Sequence, residues 1–269
     1  MMDLPGRLVL LGHPVAHSLS PLFQNAALMS AGIPLEYEAI DVPPSGLATM
    51  AALLREANGA GNVTVPHKEA FLPLCGRRSP VAERVGAVNT FWVDEGVLVG
   101  DNTDVGGFDA AFRSHFGAPR EGIEVAVVGA GGAASAVLAA VERWDGGRVR
   151  LVARNRARAN ALVARYEQIA RVVADDRSAF TGVALVVNAT PLGRATDDVP
   201  VEPALLDDRC DVLDLNYRRT DTPWVLACRA RGLRAADGRS MLVEQGAFAF
   251  ERWFGATPDR AAMWKAISR

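Results

Sequence analysis

The stretch from Ile123 to Ala134, IEVAVVGAGGAA, constrains the fold of this chain most. An apolar, β-branched run ends abruptly in glycine, and an alanine-rich segment of helical character follows over 133–143. Gly129, Gly131 and Ala134 fall at the spacing G-x-G-x-x-A. In such a turn the first glycine makes the tight strand-to-helix bend, and the second lets the backbone approach a pyrophosphate. A small third residue lets helix and strand pack closely. The helix N-terminus then faces the phosphates. A plain surface turn needs none of this spacing, so the pattern predicts a dinucleotide site at Gly129, Ala130, Gly131, Gly132 and Ala133.

Downstream the chain alternates regularly. Strands are expected at 123–128, 148–153, 170–173, 183–188 and 211–215, with a short one near 233–236 and helices between most of them. That order predicts a parallel, doubly wound sheet. The tail from Ser240 to Ser268 reads as amphipathic helix, its aromatic residues belonging to a core.

Upstream, RLVLL (7–11) reads as a short buried strand ended by Gly12-His13-Pro14. In His17-Ser18-Leu19-Ser20-Pro21, Ser20 fits the N-cap and Pro21 the first position of a helix reaching Ala31. A strand over 35–40 and a helix over 45–57 come next. In GNVTVP (61–66) polar residues alternate with valines, so Asn62 and Thr64 are expected to share one strand face, with Lys68 just past its C-terminal end. Ala87 to Thr90 begins another strand, and Phe91 to Gly100 reads as a hairpin around Asp94-Glu95-Gly96. Gly100 to Asp104 packs four polar residues into a loop, the best place for a domain boundary. The expected domains are 1–104 with 239–269, and 105–238.

Bulk properties narrow the function classes. At 269 residues the chain can bury a sizeable core. A net charge of −2 gives no reason to expect a nucleic acid or an anionic membrane as partner. The cysteines Cys75, Cys210 and Cys228 are far apart and no histidine cluster lies near, which argues against a metal site and a disulfide framework and suits a reducing cytoplasm. The start of the chain does not resemble a signal peptide, and no run approaches the roughly 20 apolar residues of a membrane span.

The nicotinamide cofactor is chosen farther along. An NAD site places Asp or Glu about 20 residues beyond the glycine turn, on the ribose 2′-hydroxyl. Here the second strand of the downstream sheet runs into Ala153-Arg154-Asn155-Arg156-Ala157-Arg158, with three arginines and no carboxylate. A guanidinium fork suits a 2′-phosphate that Asp would repel. The spacing predicts Arg154 and Arg158 on one helix face, with Asn155 beside them, and NADP over NAD.

Seven separated segments together resemble the shikimate dehydrogenase family: GHPVAHSLSP (12–21), NVTVPHK (62–68), GAVNT (86–90), GDNTD (100–104), GAGGA (129–133), NAT (188–190) and GRSMLVEQGA (238–247). The resemblance implies an α/β protein in which an N-terminal substrate domain and a Rossmann-type NADP-binding domain enclose the active site in a cleft. It implies Lys68 and Asp104 as the catalytic pair, and Ser18 and Ser20 on the substrate carboxylate with Tyr217 nearby. Asn62, Thr64, Asn89 and Gln245 would bond the ring hydroxyls, and Asn188, Ala189, Thr190, Gly238 and Met241 would lie near the nicotinamide half. The implied activity is NADPH-dependent reduction of 3-dehydroshikimate to shikimate in aromatic amino acid biosynthesis, by a cytoplasmic monomer or homodimer acting on a small-molecule substrate. The chemistry agrees: hydride addition to a ring ketone develops charge on oxygen, which an ammonium beside a carboxylate can stabilise and protonate.

The chain departs from the family pattern in places. Ala153 stands where Asn is usual, Ala134 where Ser is common, and Pro191-Leu192-Gly193 is an unusual continuation of the NAT segment. His67 is variable in the family and carries no assigned role, and His17 reads as structural. A quinate/shikimate dehydrogenase would bring an acidic residue near 153 or 154, or Thr at the second hydroxyl position; Arg154 and Ser20 stand there instead. A non-catalytic NADP sensor on the same fold would lack Lys68 or Asp104, and both are present.

Overall fold

The computed structural model describes residues 4–268 and divides into two compact units. One takes the chain up to Gly107 and again from Leu242, and the other takes Phe108–Met241.

The first unit opens with β1 (Arg7–Gly12), α1 (Ser20–Ser30), β2 (Tyr37–Asp41), α2 (Leu47–Glu56), β3 (Gly59–Val63) and α3 (Lys68–Phe71). Then come β4 (Arg77–Arg78), α4 (Pro80–Val85), β5 (Thr90–Asp94), β6 (Val97–Asp101) and the start of α5 (Asp104–Phe116). Its six-stranded sheet has the order β2-β1-β3-β5-β6-β4. The strand β1 is parallel to both neighbours, and Leu8 to Leu11 are all buried, as a central parallel strand covered on both faces requires. By contrast β5 runs antiparallel to β3 and to β6. The expected hairpin is present, its turn made by Glu95 and Gly96, both at positive φ (52° and 74°). Because β5 is reversed, its N-terminal end lies at the same sheet edge as the C-terminal ends of β3 and β6.

The second unit carries β7 (Glu124–Val128), α6 (Gly132–Val141), β8 (Arg148–Val152), α7 (Arg156–Ala164), β9 (Ala170–Val172), β10 (Leu185–Asn188), β11 (Asp211–Asp214), α8 (Pro223–Ala230), β12 (Ala235–Ala236) and the start of α9 (Arg239–Phe254). All its strands are parallel, in the order β12-β11-β10-β7-β8-β9. The order reverses between β7 and β10, the switch point at which doubly wound sheets bind dinucleotides. The chain closes with α10 (Arg260–Ile267), packed on α1 in the first unit, where Met263 and Ile267 are buried.

Several local expectations are corrected. Ser20 is not an N-cap: Leu19 holds that position, Ser20 is the first helical residue, and the Ser18 hydroxyl accepts the Ser20 N–H at 3.2 Å. The strand carrying Asn62 ends at Val63, so Thr64 lies past it, although the Thr64 N–H still donates to the Leu11 carbonyl at 2.8 Å. Residues 87–89 precede β5 rather than opening it. Asp104 is the first residue of α5 instead of the end of a loop. The tail is two helices, because Gly255 turns to φ 61° and Pro258 follows.

Where α5 passes α9, Gly107 is an obligate close approach. A Cβ at this position would come within 2.7 Å of the Gln245 Cβ and 2.9 Å of its backbone N. Glycine to alanine in a helix normally gains about 1 kcal/mol, but forcing backbone apart costs about 1–3 kcal/mol. Gly107→Ala is therefore expected to lower the urea unfolding midpoint; a raised midpoint would mean that α5 and α9 have room to spare.

Candidate active site

The first unit gathers its polar candidates at one sheet edge. Lys68, opening α3 after β3, donates from Nζ to Asp104 Oδ2 at 2.6 Å. Their side chains are 20% and 4% exposed, so the carboxylate is almost fully withdrawn from water while the ammonium keeps a solvent-facing side. A buried carboxylate needs further donors, and Asn89 Nδ2 supplies one to Asp104 Oδ1 at 2.9 Å. The same amide nitrogen reaches Thr103 Oγ1 at 2.9 Å and Gln245 Oε1 at 3.0 Å. Asn89 Oδ1 accepts the Thr103 N–H at 2.7 Å, and Gln245 Nε2 donates to the Leu242 carbonyl at 2.8 Å.

Around this centre the loop before α5 is built to hold Asp104. Asn102 Oδ1 accepts the Asp104 N–H at 3.1 Å, and Asn102 Nδ2 donates to the Ala87 carbonyl at 2.9 Å. The buried Asp101 accepts the Asn102 N–H at 2.7 Å, the Ser79 hydroxyl, and Arg252 Nε at 2.8 Å. Asn62, also buried, donates to the Asn89 carbonyl at 3.1 Å and accepts the Tyr37 hydroxyl at 2.8 Å. The GHPVAHSLSP and NVTVPHK segments meet at Gly12, where a Cβ would come within 2.6 Å of Thr64 Cγ2. Ser18 is half-buried and Ser20 is buried.

Thus Lys68, Asn89, Asp104 and Gln245 form one hydrogen-bonded cluster, with Asn62 joined to it through the Asn89 backbone. Tyr37, Asn102 and Thr103 complete the cluster, and sequence reasoning missed them. For Asn102 and Thr103 the signal was present in GDNTD; nothing in the pattern marks Tyr37.

In the second unit the glycine turn is shaped as expected. Gly129 has φ 115°, and a Cβ there would come within 2.8 Å of the Ala189 carbonyl oxygen. Gly131 is the N-cap of α6 and gives its first turn no side-chain acceptor, and a Cβ on it would meet nothing within 4 Å. Ala130, Gly132 and Ala133 are half-buried, and Ala134 is fully buried. The helix N-terminus therefore presents open space and uncapped N–H groups, which fits a phosphate. Arg154 and Arg158 are exposed, but they do not share a helix face: Asn155 is the N-cap of α7, accepting the Arg158 N–H at 3.0 Å, so Arg154 lies before the helix. Arg156 donates to the Val173 carbonyl at 2.6 Å.

Beyond β10, the buried Asn188 donates to Asp214 Oδ1 at 2.8 Å and the Leu192 carbonyl at 3.1 Å, and accepts the Thr190 N–H and hydroxyl at 3.0 and 2.7 Å. Ala189 and Thr190 are half-buried, as is Tyr217. A Cβ at Gly238 would lie 2.3 Å from the Leu215 carbonyl oxygen, and Met241 is 8% exposed. Among the described residues no group of His, Cys, Asp and Glu could hold a metal ion, and no helix is long and apolar enough to cross a membrane.

The family model of the shikimate dehydrogenase substrate binding domain matches residues 10–91, and that of the shikimate 5′-dehydrogenase C-terminal domain matches 238–267. A shikimate dehydrogenase (NADP(+)) of Mesorhizobium japonicum is 40% identical, over 99% of this chain and 97% of its own length. One from Symbiobacterium thermophilum is 41% identical, over 93% and 90%. The crystal structure of shikimate 5-dehydrogenase from Thermus thermophilus, in complex with NADP(H) and shikimate, matches with a TM-score of 0.88 at 38% identity, covering 97% of this chain and 98% of that one.

One buried group of the second unit gives a pH signature. Burial pushes the Asp214 carboxyl above the ordinary carboxylate range, against the opposing bonds from Thr222, Asn216 and Asn188. The fold then holds a proton that the unfolded chain has released, so this group's contribution falls as pH climbs from about 4 through the raised value. Asp214→Asn removes the titration. Urea unfolding at pH 4.5 and pH 7 is expected to shift the stability difference in the variant's favour at the higher pH; a difference independent of pH would show that Asp214 titrates alike in both states.

Proposed function

The chain belongs to the shikimate dehydrogenase family, and we propose that it interconverts 3-dehydroshikimate and shikimate with NADP, using Lys68 and Asp104 as the catalytic pair. The observation that carries this reading is the 2.6 Å contact of a partly exposed ammonium with a buried carboxylate whose other oxygen is bonded by Asn89. NADPH, when bound, supplies the hydride that reduces the ring ketone.

The chain's own residues do the rest. Lys68 Nζ has three protons, and Asp104 takes one in a hydrogen bond. The other two are available to the substrate oxygen, where they offset the negative charge that gathers as the carbonyl is reduced. The pair gives up one proton to that oxygen, so the product is a neutral hydroxyl; in the oxidative direction it takes the proton back. Asp104 fixes the direction of the ammonium and Asn89 fixes Asp104. Thr64, Asn62, Asn89 and Gln245 supply the hydrogen-bonding groups a ring rich in hydroxyls requires, and Ser18 and Ser20 supply hydroxyls to its carboxylate.

For the dinucleotide, we assign Gly129 to Ala133 to the pyrophosphate, Arg154 and Arg158 with Asn155 to the adenosine 2′-phosphate, and Asn188, Ala189, Thr190, Gly238 and Met241 to the nicotinamide side. The exposed guanidiniums and the absence of a carboxylate over 153–158 favour NADP over NAD. The unit containing Lys68 and Asp104 is assigned to substrate and the unit containing Gly129 to NADP. Three buried free thiols, pushed up to about 12, 11 and 12 at Cys75, Cys210 and Cys228, are inert and suit the cytoplasm.

NADP reduction measured with shikimate, with quinate and without substrate, and repeated with NAD, tests the assignment. Turnover is expected with shikimate and NADP, and activity confined to quinate and NAD would overturn it. Lys68→Ala is expected to lower kcat by about 10²–10⁴-fold with the NADP dissociation constant nearly unchanged; full turnover would remove Lys68 from the mechanism. Arg154→Ala is expected to weaken NADP far more than NAD, and equal weakening of both would take Arg154 off the 2′-phosphate.

A further inference from the structure

Three alternate residues leave the end of β11: Asp214, Asn216 and Arg218. All three bond the segment from Asn188 to Asp197 that follows β10. Asp214 Oδ1 accepts the Asn188 amide at 2.8 Å and the Asn216 N–H at 3.0 Å, and Asp214 Oδ2 accepts the Thr222 hydroxyl at 2.7 Å. Asn216 Nδ2 donates to the carbonyls of Thr190 and Leu192 at 2.9 and 2.8 Å. Arg218 spreads its guanidinium over the far half of the segment. Its Nε donates to the carbonyls of Gly193 and Arg194 at 2.8 and 3.1 Å, and one terminal nitrogen reaches Asp197 at 2.9 Å while the other reaches the Thr196 carbonyl.

A planar fork that meets three carbonyls and a carboxylate at once fixes a loop more firmly than separate single bonds. The loop it fixes has little regular structure of its own. Gly193 sits at φ 87°, and residues 191–197 form turns and bends. Without its partners such a segment would gain backbone freedom, a loss of order that ligand binding would have to reverse.

Topology says which part of a dinucleotide depends on it. The sheet order reverses between β7 and β10. The adenosine side belongs to the β7–β8 half, where Arg154 follows β8. The other half of the molecule must then cross to the C-terminal ends of β10 and β11. The segment begins there in contact with the glycine turn, since a Cβ on Gly129 would strike Ala189 and Thr190.

We propose that Asp214, Asn216 and Arg218 are positioning residues for the nicotinamide half of NADP, acting by holding the 188–197 segment in a preformed shape. The inference rests on the NADP reading above and adds to it a set of residues that need not touch the ligand. Arg218 is the most telling member, because its side chain is 25% exposed and its loss leaves the buried core of the unit intact.

Calorimetric titration with two probes separates the halves. NADP+ engages the whole site, whereas 2′,5′-ADP carries only the adenosine side with its 2′-phosphate. In Arg218→Ala the NADP+ affinity is expected to fall about tenfold while 2′,5′-ADP changes less than twofold, because preorganisation is lost on one side only. Trypsin is expected to cut after Arg194 faster in the variant, and Arg218→Lys, which restores charge without the fork, is expected to recover only part of both effects. Unchanged NADP+ affinity, or an equal loss for both probes, would overturn the proposal. If the wild-type protein failed to bind either probe, the NADP reading would fall, and unchanged cleavage after Arg194 would then separately remove Arg218 as the loop's support.

Discussion

An ionised carboxylate with 4% of its side chain exposed, like that of Asp104, needs partners to replace the water it has lost. Most of the first unit's polar architecture follows from meeting that need. Lys68 provides the opposite charge and Asn89 a neutral donor, while Asn102 holds the backbone N–H that opens α5. These residues come from distant segments, and they meet because β3, β5 and β6 are neighbours with β5 reversed. Asn89 is the joint. Its carbonyl accepts from Val63 at 2.8 Å, its N–H donates to Asp101 at 3.1 Å, and its side chain reaches Thr103, Asp104 and Gln245. The backbone ties the strands while the amide ties the site.

The second unit shows the opposite treatment of polar groups at its glycine turn. Helices α4, α7, α8 and α10 begin on Ser79, Asn155, Thr222 and Asp259, each of whose side chains accepts a backbone N–H of the first turn. Helix α6 begins on Gly131 and has no such acceptor. A capping side chain contributes about 1 kcal/mol; α1, α2 and α3 also start without one, and at α6 the N-cap is a glycine whose surroundings are open. An anion arriving at that N-terminus restores the missing acceptor and adds the favourable interaction with the helix dipole.

The sequence reveals these two strategies unequally. The glycine turn is local: Val125 to Val128, Gly129, Gly131 and Ala134 carry strand, bend and helix within a dozen residues, and the expected strand at 123–128 is observed at 124–128. The arginines after β8 are equally legible by their charge, though not their placement, since Asn155 takes the cap and leaves Arg154 outside the helix. Alternation misleads at Thr64, where the strand stops one residue earlier than the polar pattern does. The capping pattern misleads at Ser20, where Leu19 takes the N-cap position and the Ser18 hydroxyl accepts the Ser20 N–H. The role of Asn89 as joint, the reversal of β5 and the hydroxyl of Tyr37 on Asn62 depend on contacts between residues far apart in the chain, and no periodicity records those. The family resemblance named Asn89 and Gln245 without indicating that they bond one another.

Counting unfilled hydrogen-bonding positions separates residues that shape a site from residues that offer themselves to a ligand. Asn188 has two amide protons and two carbonyl lone pairs, and the protein fills all four, through Asp214, Leu192 and both groups of Thr190. On the proposed assignment, Asn188 would serve a dinucleotide through the loop it shapes rather than through its own amide. Asn62 spends one N–H on Asn89 and one lone pair on Tyr37, and keeps one of each. Gln245 spends one N–H on Leu242 and one lone pair on Asn89, which leaves the same remainder. Lys68 spends one of three protons. On the proposed assignment, the open positions of Asn62, Gln245 and Lys68 are those a ring bearing several hydroxyls and a ketone would use, while residues such as Asn188 spend theirs within the protein.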